Sequence, residues 1–231
     1  MGMKNILITG TNRGIGLGLA SKFLVEGYRV VATCRKPDEA QELQELKSQF
    51  PELLRIEPLD LLCQESVENL ARSMGEQGLD VLINNAGILP SRGASIAELD
   101  PRMVSEAFEV NVVGAIRLIQ SLKGNIDRCE TPVLINISSK VGSIADNQGG
   151  GIYAYRISKT AQNMLTKNLS IEFKKWITVA VHPGWVQTSM GGPNALISVE
   201  QSSEGIFELI KGLQPSDSGR FFDYAKREIT W

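Results

Sequence analysis

Tyr155 and Lys159 stand four residues apart in the string Tyr153-Ala154-Tyr155-Arg156-Ile157-Ser158-Lys159. On a helix that spacing puts both side chains on one face, an ammonium beside a phenol. An unperturbed phenol titrates near pH 10. To exchange a proton near pH 7 its pKa must fall by about three units, roughly 4 kcal/mol of preferential stabilisation of the phenolate, and a close cation supplies part of that. Taken alone, Tyr-x3-Lys is an ordinary helix-surface pair. Tyr153 has Ile157 four positions on and so lacks the partner, which makes it a pocket wall. Upstream, Ser138-Ser139 closes an apolar run. In a strand the two hydroxyls point to opposite faces, so only one can assist the phenol.

Two glycine-bearing strings flank this chemistry. Thr9-Gly10-Thr11-Asn12-Arg13-Gly14-Ile15-Gly16 follows an apolar run and opens a helical pattern. Its glycines permit a tight turn, and its free N–H groups at a helix start suit a pyrophosphate. The spacing Gly-x3-Gly-x-Gly departs from the GxGxxG fingerprint, so the string alone is also compatible with a plain turn. Asp80-Val81-Leu82-Ile83-Asn84-Asn85-Ala86-Gly87 is a second strand-to-loop transition, whose amides can tie strand ends together or touch a ribose.

These residues need a frame, and the hydropathy pattern supplies one. Short apolar runs at 5–9, 29–33, 54–58, 81–84, 133–138, 177–182 and 220–222 alternate with helical periods at 15–26, 39–50, 64–74, 102–123, 155–174 and 199–211. That rhythm predicts an α/β fold: a single-domain, doubly wound Rossmann arrangement with a seven-stranded, mainly parallel sheet over 1–231. Asp100-Pro101 and Ser198 with Gln201 read as helix starts. The long segments 142–151 and 184–192 follow strands, and loops at the carboxyl ends of parallel strands build the ligand site.

Composition narrows the partners. With 24 Lys+Arg against 26 Asp+Glu the net charge is -2, which gives no electrostatic drive toward nucleic acid or an anionic membrane. Cys34, Cys63 and Cys129 lack metal spacing, and His182 has no ligand partner nearby, so a reduced, metal-free, cytoplasmic protein is expected. Apolar runs are too short to span a bilayer.

The ordered set of Thr9 to Gly16, Asp60, Asn84 to Gly87, Asn111, Ser139, Tyr155, Lys159 and Pro183-Gly184 closely resembles the short-chain dehydrogenase/reductase family over nearly the whole chain. The Tyr153 to Lys159 string and Phe222-Asp223-Tyr224 resemble its branch of C-factor and sniffer-like carbonyl reductases. The resemblance implies that Tyr155 protonates a carbonyl oxygen, Lys159 binds the nicotinamide ribose and lowers the tyrosine pKa, Ser139 holds the oxygen, and Asn111 keeps a water near Lys159. It also implies a cofactor site of Gly10, Asn12, Arg13, Gly14, Ile15, Gly16, Arg35, Asp60, Leu61, Asn85, Ala86, Gly87, Tyr155, Lys159, Pro183, Gly184, Val186 and Thr188, and a homodimer. The interval from Ser139 to Tyr155 is a few residues longer than the family's usual one, which leaves Ser138 open as the hydroxyl; Gly149-Gly150-Gly151 can absorb the extra length.

An acid at the end of the second strand would hold the ribose 2′-OH of NAD. Here the segment reads Val31-Ala32-Thr33-Cys34-Arg35-Lys36, with no acid. Arg35 and Arg13 can converge on a 2′-phosphate instead, so NADP is the expected cofactor. Ile88, Leu89, Val141, Tyr153, Trp185 and Met190 would line an apolar pocket for an aldehyde, ketone or quinone. Alcohol oxidation, ketoacyl reduction and non-catalytic dinucleotide sensing are the alternatives.

Overall fold

The computed structural model describes residues 4–90 and 93–231. Strands β1 (Asn5–Thr9), β2 (Arg29–Cys34), β3 (Leu54–Pro58), β4 (Val81–Asn84), β5 (Val133–Ile137), β6 (Ile177–His182) and β7 (Phe221–Asp223) form one sheet in the order β3-β2-β1-β4-β5-β6-β7. Every adjacent pair is parallel. The chain starts at the centre, builds one edge, then crosses back to pair β4 with β1, and that reversal opens a crevice at the strands' carboxyl ends.

Both faces of the sheet are covered, so its strands are apolar on both sides. In β1, Ile6 and Ile8 enter one core cluster and Leu7 the other. Helices α1 (Gly14–Val25), α2 (Gln41–Gln49) and α7 (Val199–Gly212) bury Phe23, Leu43 and Phe207 in the first cluster, with the two phenylalanine rings edge to face at 5.1 Å. Helices α3 (Gln64–Met74) and α5 (Gly114–Asp127) bury Val67, Leu70, Leu118 and Leu122 in the second.

Two helices differ from expectation in ways that shape the site. The helical period at 102–123 divides into α4 (Pro101–Phe108), a π-helical turn at Glu109–Val113, and α5. A π turn adds a residue to one helical turn, and such turns gather at functional positions. This one holds Asn111, buried, with its amide bonded to Ile88 in the loop after β4 and to Ser158. Helix α6 (Tyr153–Glu172) begins two residues before the expected start, because Gly150, Gly151 and Ile152 all take left-handed backbone and turn the chain into it. The expected caps are present. Asp100 accepts from the Arg102 N–H at 2.9 Å, and Ser198 with Gln201 forms a capping box.

Candidate active site

The crevice is a cleft of about 1570 Å³, long enough for an extended ligand. Its floor is the β1–α1 turn, where absent side chains make the room. Gly14 has φ +58, a conformation that favours glycine, and a Cβ on Gly16 would stand 2.2 Å from the Gly10 carbonyl oxygen. Above the turn, Thr188 approaches so closely that a Cβ on Gly14 would meet its methyl at 3.2 Å. Asn85 fastens the turn by donating to the Thr9 carbonyl at 2.7 Å, and Thr9 Oγ1 accepts from the Asn85 and Ala86 N–H groups.

One end of the cleft is cationic. Arg13, Arg35 and Lys36 line it and are exposed; Lys36 pairs with Glu39 at 2.8 Å. The other end carries the titratable cluster. Lys159 is 3 % exposed, and burial pushes its ammonium down to about 7. Its Nζ donates to the Ile137 carbonyl at 2.7 Å and to Gln162 Oε1 at 2.8 Å, and it lies 5.6 Å from the centre of the Tyr155 ring. The helix spacing thus becomes a real proximity. Ser138 and Ser139, just past the end of β5, both line the cleft but differ in surroundings: Ser138 is buried and donates to Asn163 Oδ1, whereas Ser139 is half-buried and accepts from the Val141 N–H at 3.4 Å. Asn111 Oδ1 accepts from the Ile88 N–H at 2.8 Å, and its Nδ2 donates to the Ile88 carbonyl at 3.0 Å and to Ser158 Oγ at 2.9 Å.

A glycine-turn cleft in a parallel sheet, with a Tyr–Lys pair at its far end, has a match among known families. Residues 4–195 match the profile described as short chain dehydrogenase. This chain belongs to the short-chain dehydrogenase/reductase family. It is 38% identical over 155 residues to the protein named C-signal of Myxococcus xanthus, covering 66% of this chain and 93% of that one. Among solved structures, it superposes on the carbonyl reductase Sniffer of D. melanogaster with a TM-score of 0.93 at 34% identity, over 100% of both chains. An NADPH-bound carbonyl reductase from chicken fatty liver gives a TM-score of 0.91 at 36% identity, again over 100% of both.

In this short-chain dehydrogenase the remaining expected residues distribute unevenly. Asp60, Leu61, Gly87, Ile88, Leu89, Val141, Pro183, Gly184, Trp185, Val186 and Met190 line the cleft. Tyr153 does not: at the first position of α6 it lines a second hollow, which shares Val141 and Arg156 with the cleft. The Tyr155 end is also more polar than the expected apolar wall, since Lys140, Asp146, Arg156 and His182 line it, with Lys140 and Asp146 ion-paired at 3.2 Å. Burial lowers the His182 imidazole to about 4, against the opposing pull of Asp223, so it is neutral near pH 7.

Several residues went unread in the sequence. Gln162, Asn163 and Thr166 are buried together with Ser158 and Lys159 on the inner face of α6. Thr166 accepts from Asn136 at 2.9 Å, and Asn136 accepts from Asn84 at 2.9 Å, so a polar chain joins α6 to β5 and β4. The signal was available: polar side chains recur at helical period where a core-facing helix would be apolar. Among the described residues no helix is long and apolar enough to cross a membrane.

Proposed function

We propose that this short-chain dehydrogenase is an NADPH-dependent carbonyl reductase in which Tyr155 donates the proton. The observation that carries the reading is the buried Lys159 beside the Tyr155 ring, with Ser139 on the wall of the same cleft. The cleft fits a dinucleotide: glycines leave backbone approach open at the α1 N-terminus, and cationic side chains line the end away from Tyr155.

When bound, NADPH supplies the hydride that adds to the carbonyl carbon. The Tyr155 hydroxyl gives its proton to the carbonyl oxygen, and solvent returns it, so carbonyl, NADPH and one proton become alcohol and NADP. Ser139 Oγ donates to the same oxygen and orients it. The Lys159 ammonium stabilises the phenolate left behind. Asn111 acts beside it: a Cβ on Gly87 would lie 3.0 Å from Asn111 Oδ1 and 3.6 Å from Lys159 Nζ, so amide and ammonium converge on one stretch of backbone, and a water held near them would relay the proton. Ile88, Leu89, Trp185 and Met190 suit a compact apolar aldehyde, ketone or quinone. A panel of such carbonyls with NADPH tests the assignment; cofactor consumption that no member of the panel accelerates would reject it.

The serine assignment has its own test. Ser139→Ala is expected to lower kcat by about a hundredfold, the order seen when one oxyanion donor is removed. Ser138→Ala should cost little in kcat and about 1 kcal/mol in stability, because it strips a buried partner from Asn163. The reverse order of kcat losses would move the role to Ser138.

The acidity of Lys159 sets the pH dependence. Its ammonium is the working form and is lost as pH rises through about 7. For wild type, kcat/KM for NADPH, which reports the free enzyme, is therefore expected to decline above a midpoint near 7. In Lys159→Arg, whose guanidinium stays charged, that limb should vanish while the rate drops. An unchanged limb would show that another group controls it.

A further inference from the structure

The segment between Ser139 and α6 is clasped by one side chain. Arg156 donates from Nη1 to the Val141 carbonyl at 3.0 Å and from Nε to the Gly150 carbonyl at 2.9 Å, so a single guanidinium holds both ends of the loop. On the following turns Thr160 and Asn163 donate to the Gly142 carbonyl at 2.9 and 3.2 Å. The loop enters α6 through Ile152 at φ 40, a left-handed conformation that a β-branched residue resists. Such backbone persists only where surrounding bonds hold it. Beyond the loop lies the second hollow, about 480 Å³, with Tyr153, Ile157, Ala161 and Met164 in its wall. Val141 and Arg156 line both spaces, so the bond between them is part of the partition.

We infer that Arg156 is a positioning residue that sets the size of substrate accepted. It fixes the loop as the wall of the substrate end and keeps the second hollow apart from the cleft. The inference rests on the carbonyl-reductase reading. The work is done by a planar fork whose Nε and Nη1 each serve a different carbonyl; a lysine ammonium carries all its donors on one nitrogen and does not reproduce that spread.

The test compares benzaldehyde with the bulkier biphenyl-4-carboxaldehyde in the NADPH-bound enzyme. In Arg156→Met, kcat/KM for benzaldehyde is expected to fall about tenfold, mainly through KM, because a loosened wall grips the compact substrate less closely; that is about 1.4 kcal/mol of lost positioning. The ratio of bulky to compact kcat/KM should rise, with NADPH affinity unchanged. Arg156→Lys should fail to restore the ratio, and Thr160→Val should shift it the same way by less. An unchanged ratio in Arg156→Met, or full recovery in Arg156→Lys, would overturn the inference. Should Arg156→Met not fold, the Thr160→Val ratio decides on the same terms. If wild type reduces neither aldehyde, a compact and a bulky carbonyl that the panel does show to be reduced take their place; if the panel shows none, the reaction assignment has failed, and amide hydrogen exchange over residues 141–152 decides for Arg156 separately: faster exchange in Arg156→Met supports the clasp, and equal exchange removes it.

Discussion

Tyr155→Phe is expected to lower kcat by about 10²–10⁴-fold, the usual worth of a positioned general acid, while NADPH still binds. The substitution deletes one oxygen and leaves the ring 5.6 Å from Lys159 Nζ, so packing and cofactor contacts persist. Cofactor titration by fluorescence and steady-state kinetics on the same preparation separate binding from chemistry. Tyr153→Phe is the matched control: it removes a hydroxyl two residues away that lines the other hollow, and activity should barely change. Retention of more than a tenth of wild-type kcat by Tyr155→Phe would end its role as the acid.

The second large effect concerns the other end of the cleft. Arg13 and Arg35 line it, and the neighbouring Lys36 already pairs with Glu39. If both guanidiniums grip a 2′-phosphate, each contact is worth one to two decades in affinity, and NADPH should bind about 10²–10⁴-fold more tightly than NADH. Cys34→Asp combined with Arg35→Ala should swing the preference toward NADH by repelling the phosphate and accepting from a free 2′-OH. The swing is expected to be partial. Cys34 is buried, and that burial already pushes its thiol pKa up, so a carboxylate there is penalised as well. The turnover number should change less than the affinities, because the Tyr155 end is untouched. Equal wild-type dissociation constants for NADPH and NADH would reject the two-arginine account.

Much of this fold was legible because a parallel sheet covered on both faces leaves unbroken apolar runs, and the seven runs correspond to the seven strands within a residue or two. What stayed hidden has physical reasons. The π turn at Glu109–Val113 leaves the hydropathy of 102–123 looking like one helix, and the bonds between Asn111 and Ile88 that accompany it join residues too far apart for a local pattern to report. Tyr153 looked like a pocket wall because position relative to Tyr155 says little about which side of a left-handed turn it leaves from. Arg156 reads as an exposed helix charge until the carbonyls of Val141 and Gly150, 15 and 6 residues away, are seen to converge on it. By contrast the difference between Ser138 and Ser139 was legible in part, since neighbours in extended backbone point to opposite sides: both reach the cleft lining, but Ser138 is buried against Asn163 and Ser139 is the more exposed.

The central claim is that this cleft moves a hydride to a carbonyl rather than only holding a dinucleotide. NADPH carrying deuterium at C4, prepared separately as each epimer and incubated with the enzyme and an aromatic aldehyde, tests this most directly. The account predicts alcohol bearing one deuterium on its carbinol carbon from one epimer and none from the other, because a nicotinamide ring with a single face turned toward Ser139 and Tyr155 would transfer only one of its two C4 hydrogens. Tight NADPH binding with no deuterium in any product across the carbonyl panel would contradict it and leave a dinucleotide-sensing protein.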